Sequence, residues 1–207
     1  MAHCVITDMI VAMPRWDPRA EERLREAALE LYLKHGYENV TVAQITERAG
    51  LTRRTFSRYF TDKRDVLFAG SERLPAALAD AVLGADAGLA PFAALLAALG
   101  EIGALLADRV THAGQRRTII RASPELRERE RTKFAAVTDA LAGALRQRGA
   151  PRSQADLLAH VGVAIFQSAF ERWTDQPEEA DFSARVREVV SELTDPFIAW
   201  HRAAEWP

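Results

Sequence analysis

The sequence predicts an all-α protein with an N-terminal three-helix helix-turn-helix unit and a larger C-terminal helical domain. Three observations predict it. Apolar residues recur at helical spacing along most of the chain, and past Asp65 no convincing alternating strand pattern interrupts them. Residues 41–60, TVAQITERAGLTRRTFSRYF, read as two short amphipathic helices joined by a tight glycine turn. The length, 207 residues, suffices for a small unit and a second unit with its own core.

Residues 1–16 read as a disordered leader or an over-long gene start, with Met9 and Met13 as alternative starts. The stretch Cys4–Met13 is apolar, but Asp8 interrupts it and no basic segment precedes it, so a signal peptide is not expected. The first helix carries Leu24, Ala27, Ala28, Leu31 and His35 on one stripe and closes at Gly36. His35 is expected to pack inside. Thr41 is an N-cap, with Gln44 three residues on to complete a capping box, and Val40 and Ile45 form a hydrophobic staple. The helix stops at Gly50, a residue that tolerates positive φ. Thr52 caps the next helix, in which Phe56 and Phe60 share one face and Arg54 and Arg58 lie roughly opposite.

The following helix is expected to open at Asp62 and to be broken or kinked by Pro75. Residues 84–91 form a loop. Helices are predicted over 92–108 and 113–122. Ser123-Pro124 then starts a helix that runs to Arg148. Ser153 is expected to cap a helix reaching Trp173. Residues 175–181 form a loop, and 182–200 the last helix, bent at Pro196. The boundaries follow as a leader at 1–16, a helix-turn-helix domain at 17–64 and a helical domain at 65–207.

A short helix anchored by two aromatics, with arginines pointing away, suits a major groove, where arginine hydrogen-bonds guanine edges or phosphates. Net charge does not help, at −2. Its placement does: between Arg48 and Arg64 lie six basic residues, Arg48, Arg53, Arg54, Arg58, Lys63 and Arg64, against one acid, Asp62. Such a patch supplies counterion release on DNA. The competing explanation, a merely solvated helix face, leaves the helix-turn-helix spacing unexplained.

The run from Arg23 to Leu67 resembles the N-terminal DNA-binding domain of TetR-family transcriptional regulators. The resemblance rests on AALEL, GY, TVAQI, the GLT turn, Thr55, Tyr59-Phe60 and Lys63. The string RRTFSRYF is similar to an actinobacterial-type subgroup. Arg54 stands where the family often has Gly, and Ser57 where it often has a phosphate-contacting Tyr. The resemblance implies a DNA-binding set of Thr41, Val42, Thr52, Arg53, Arg54, Thr55, Ser57, Arg58, Tyr59 and Lys63. Arg54, Thr55 and Arg58 are the candidates for base readout. Thr41, through backbone N–H groups, and Lys63, through its charge, are expected to hold phosphates of a double-stranded operator.

The last two helices carry apolar residues over more surface than one core needs. We expect a homodimer, with Leu158, Ile165, Trp173, Val186, Val189, Val190, Leu193 and Phe197 at its interface. The resemblance implies the same, together with a small-molecule pocket in the C-terminal domain. Candidates for that pocket are Leu99, Arg117, Ile120, Arg121, Phe134, Thr138, Phe166 and Phe170, the two arginines favouring an acidic ligand unless they pair with Glu125 and Glu128. The implied function is a cytoplasmic repressor released from DNA by a lipophilic or acyl-bearing molecule.

A ligand-independent DNA-binding regulator is the first alternative. An enzyme using the pocket is the second, but the chain has no GxGxxG, P-loop, HExxH or GxSxG motif. No cofactor or metal is expected. The single cysteine, Cys4, excludes an internal disulfide and a cysteine-based metal site. No apolar run reaches membrane-spanning length.

Overall fold

The structure is a computed structural model that describes residues 19–107, 112–176 and 181–203, with side chains for 19–105, 112–176 and 181–195. The leader, Cys4 and the side chain of Phe197 lie outside the described residues. Among these residues the elements run α1 Ala20–His35, α2 Val42–Ala49, α3 Arg53–Tyr59, α4 Asp65–Phe68, α5 Leu74–Gly84, α6 Pro91–Ala107, α7 Ala113–Ala122, α8 Pro124–Gln147, α9 Arg152–Asp175 and α10 Phe182–Ala203. The fold is all-α, as the periodicity predicts.

Two buried clusters organise these helices. The first joins Leu24, Ala28 and Tyr32 of α1 to Ile45, Phe56, Phe60 and Val66–Phe68. It also includes Ile119, Ile120 and Leu126, so the α7–α8 junction is built into the N-terminal core. The second joins Leu78 and Val82 of α5 to Leu95, Leu99, Leu141, Leu145, Ile165, Phe166 and Phe182. Helix α6 meets α10 at Gly103, where an added Cβ would fall inside the Phe182 ring. That glycine is there because two helices touch.

Several expectations need correction. His35 is exposed, because the inward stripe turns through Tyr32 instead. Asp62 does not open a helix: its carboxylate accepts from the backbone N–H of Arg64 and Asp65, and α4 begins at Asp65. Pro75 kinks nothing. Helix α4 ends at Phe68, Gly70 takes φ 83°, and Pro75 sits in the first turn of a new helix, where its missing N–H costs nothing. Ser153 is inside α9, whose N-cap position is Pro151. Ser123 does precede α8, but its hydroxyl donates to Glu38 rather than accepting from α8. The last helix is continuous through Pro196.

Candidate nucleic-acid interface

The geometry between α2 and α3 is set locally. Thr41 and Gln44 complete a reciprocal capping box, with Thr41 N–H donating to Gln44 Oε1 at 2.8 Å and Gln44 N–H to Thr41 Oγ1 at 3.3 Å. At the other end Gly50 adopts φ 64°; its N–H reaches Glu47 O, and the N–H of Leu51 reaches Thr46 O at 2.8 Å. This closes the helix as a Schellman motif. Arg23 of α1 donates to the carbonyl of Ala49 and clamps the turn from behind. An α3 seated this way has a fixed direction relative to α2.

Within α3, Thr52 Oγ1 accepts from the N–H of Thr55 at 3.1 Å, and the two hydroxyls are 3.0 Å apart. Phe56 and Phe60 are buried, with ring centroids 5.4 Å apart. The opposite face exposes Arg53, Arg54, Ser57 and Arg58, with Tyr59 half-buried. Arg58 is folded onto Tyr59: its guanidinium donates to the phenol oxygen at 2.7 Å and lies 4.9 Å from the ring centroid.

Half of the predicted basic patch is spoken for. Arg48 pairs with Glu30 at 2.7 Å. Arg64 bonds Asp62 and, at 3.0 Å, Glu125. The Arg64 hydrogen bond holds the Asp62 carboxyl below its ordinary range. Lys63 turns inward. Its ammonium donates to the carbonyls of Tyr37 at 2.9 Å, Val40 at 3.0 Å and Glu38 at 3.3 Å, and lies 4.3 Å from the Tyr37 ring centroid. Its own carbonyl accepts from Tyr32 Oη at 2.7 Å. The three N–H donors expected to hold a phosphate are thus committed to the segment that precedes α2. Arg53, Arg54 and Arg58 remain as the outward charges.

The C-terminal helices grip this unit through polar contacts that sequence reasoning missed. Ser123 donates to Glu38 at 2.9 Å, Arg129 pairs with Asp65, and Arg116 donates from Nε to the carbonyl of Leu67. Every one spans roughly fifty residues or more, so no local pattern announces it.

The expected pocket residues divide between the two cores and the ends of helices. Leu99 and Phe166 are buried in the C-terminal core, and Phe134 and Phe170 pack half-buried against it. Thr138 turns its hydroxyl back to the carbonyl of Phe134. Ile120 belongs to the N-terminal core. Arg117 and Arg121 are committed to acids and a carbonyl of α9, Arg117 at Asp175 and the Glu171 carbonyl and Arg121 at the Glu171 carboxylate, not at Glu125 or Glu128. An open groove between α6 and α10 is lined instead by Leu96, Gly100, Glu101, Val186 and Val190.

Of the expected interface residues, Ile165, Val186 and Val189 are buried within the chain's own core. Leu158, Trp173 and Val190 are partly buried, and Leu193 is exposed. The outward face of α9 carries Leu157, 64% exposed, with Ala164 two turns on.

A capped α2, a Schellman turn and an arginine-bearing α3 on a buried aromatic pair define a helix-turn-helix DNA-binding protein. The profile of the TetR family of bacterial regulatory proteins matches residues 24–69, and that of the MftR C-terminal domain matches residues 89–198. The chain belongs to the TetR family of bacterial regulatory proteins, with a C-terminal domain of the MftR type; it is a transcriptional regulator. It is 26% identical over 155 residues to MftR, a regulator assigned to mycofactocin biosynthesis in Mycobacterium tuberculosis, covering 72% of this chain and 77% of that one. Its fold is similar to a transcriptional regulator of Pseudomonas aeruginosa, with TM-score 0.61 and 18% identity over 93% of this chain and 98% of that one. It is also similar to Bacillus subtilis FadR, solved in complex with stearoyl-CoA, with TM-score 0.56 and 18% identity over 84% and 97% of the two chains. No helix among the described residues is long and apolar enough to cross a membrane.

Proposed function

We propose that the protein is a homodimeric repressor that leaves its operator when a lipophilic or acyl-bearing molecule binds the C-terminal domain. The observation that carries the DNA-reading part is the outward face of α3, where Arg53, Arg54 and Arg58 are exposed on a helix fixed by Phe56 and Phe60. Arg54, Thr55 and Arg58 read base edges, with Arg58 leaving Tyr59 to do so, while Arg53, Ser57 and Tyr59 flank the groove. The N–H groups of Val42 and Ala43, beyond the Thr41 box, meet a phosphate at the positive end of α2. Thr52 acts by capping α3, and Lys63 acts by holding the segment that leads into α2. The acyl-bearing class follows the likeness of RRTFSRYF and of PELR at 124–127 to one subgroup.

Arg58→Ala should weaken operator binding by about 1–3 kcal/mol and relax the preference at one base pair. Arg48→Ala, which removes a charge already paired with Glu30, should change affinity far less. Gel-shift titrations on operator and scrambled DNA separate the two; equal losses would sink the docking.

Two copies pair through the outer faces of α9 and α10, where Leu157, Leu158, Val161, Ala164, Val190 and Leu193 leave apolar surface uncovered by the chain itself. A dimer places two recognition helices on half-sites about 34–36 Å apart, which gives specificity one helix lacks. Ala164→Glu adds a carboxylate at a position exposed in the protomer, so folding is spared while association loses several kcal/mol, on the order of 3–5. Analytical ultracentrifugation should show dimer for the parent and monomer for the variant. A parent that sediments as monomer would remove this assembly.

A further inference from the structure

We propose that the seam between the two cores, around Arg116, Lys133 and Phe134, seats the anionic headgroup of an effector, a carboxylate or phosphate carried on an apolar body. The proposal rests on the ligand-responsive reading above and deepens it by naming the ligand's chemistry.

One face of α8 shows why. Leu126 is fully buried in the N-terminal core and Val137 is buried in the C-terminal core. Between them, at spacings that keep one side of a helix, come Arg129, Glu130 and Lys133. A face that is apolar at both ends is therefore charged in the middle. Arg129 is satisfied by Asp65. Arg116 of α7 gives Nε to the Leu67 carbonyl and lies 5.2 Å from the Phe68 ring centroid. Lys133 makes no hydrogen bond or ion pair with the described residues; its ammonium lies 4.3 Å from the Phe134 ring centroid.

The electrostatics agree with the geometry. Burial pushes the Lys133 ammonium down to about 8; the charge of Arg116 adds to that and Glu130 opposes it. Burial also lowers Arg116, with Glu130 opposing and Arg25, itself held by Glu21, adding. Three cations, Arg116, Arg129 and Lys133, face two carboxylates, Asp65 and Glu130. Among the described residues the seam is short of one negative charge. Desolvated cations without a matching anion are costly, and an oxyanion between them gains charge-assisted hydrogen bonds while recovering that cost. The apolar body would extend from Phe134, which neighbours Lys133, along the C-terminal core. Phe134, Phe170 and Trp173 are all partly buried on the C-terminal core, and the Phe170 ring lies 6.2 Å from Phe166 and 5.8 Å from Trp173. A headgroup seated here lies against Phe68 and Leu67, so its charge acts directly on the junction that carries α3.

The test uses the full-length protein with decanoate, decyl phosphate and decanamide, all below their micellar concentrations, and acetate and inorganic phosphate as headgroups alone. Binding is read by calorimetry and DNA release by gel shift. Decanoate or decyl phosphate should bind about tenfold tighter than decanamide or more, and the better of the two names the headgroup. Lys133→Met keeps the stem and removes the charge. It should bring the acid down to the amide's affinity while raising the thermal midpoint of the unliganded protein, a gain that a purely structural lysine would not show. Equal binding of acid and amide, or undiminished acid binding by Lys133→Met, overturns the anion seat. If acid and amide bind equally and both release DNA, the ligand-responsive reading stands and only this seat falls. If the acid binds in a Lys133-dependent way without releasing DNA, the seat stands and the effector reading falls. Binding by none of the probes overturns the proposal.

Discussion

Phe56→Ala should lower the unfolding free energy by about 3–5 kcal/mol, the cost of deleting a fully buried aromatic from a core that cannot collapse around the gap. The loss should exceed that of most single changes in the chain, because Phe56 is the one buried side chain of a seven-residue helix. With Phe60 it makes an aromatic pair beneath α3. Denaturant unfolding measures the stability term. A gel shift on the same preparation should show operator affinity falling more steeply than for Arg58→Ala, since the whole reading face loses its support rather than one contact. A variant with parental stability would mean that α3 is held by its caps alone, and the account of the unit would be wrong.

What the sequence made legible was whatever is decided within a few residues. The Thr41–Gln44 box, the Thr52 cap, Gly50, the loop after Gly84 and helix α7 were readable because each depends on a near neighbour. The α4 region misled for a related reason. Asp62 has the look of a helix start, and it does cap a turn, but helix proper waits until Asp65. The errors about packing involve partners distant in sequence. Arg117 and Arg121 stand one turn apart beside two glutamates, yet their acids come from α9, some fifty positions away. Ile120 is a candidate for the C-terminal pocket by sequence, yet it packs under the DNA-binding unit because the chain returns there at the α7–α8 junction. Val186 and Val189 lie on the predicted interface stripe but face inward, because α10 fills its own protomer's core first. Apolar periodicity tells which face is buried. It does not tell against what.

Lys63 shows how this distinction changes a functional prediction. A lysine in that position, among arginines beside a recognition helix, reads as a phosphate contact. If it were one, its removal would spare stability and lower the salt slope of binding by about one unit. The structure places its ammonium on three carbonyls of residues 37, 38 and 40, the segment that leads into the Thr41 capping box. The outcome should then be reversed. Lys63→Met strands acceptors that a cation had satisfied, and should cost about 2–4 kcal/mol of stability. The slope of affinity against salt should stay as it was, because no DNA-contacting charge has been lost. Operator affinity should fall through misplacement of the α2 N-terminus, and equally at every salt concentration. Denaturant unfolding and a gel-shift series in salt decide between the two roles. A flattened slope with unchanged stability would return Lys63 to the phosphates.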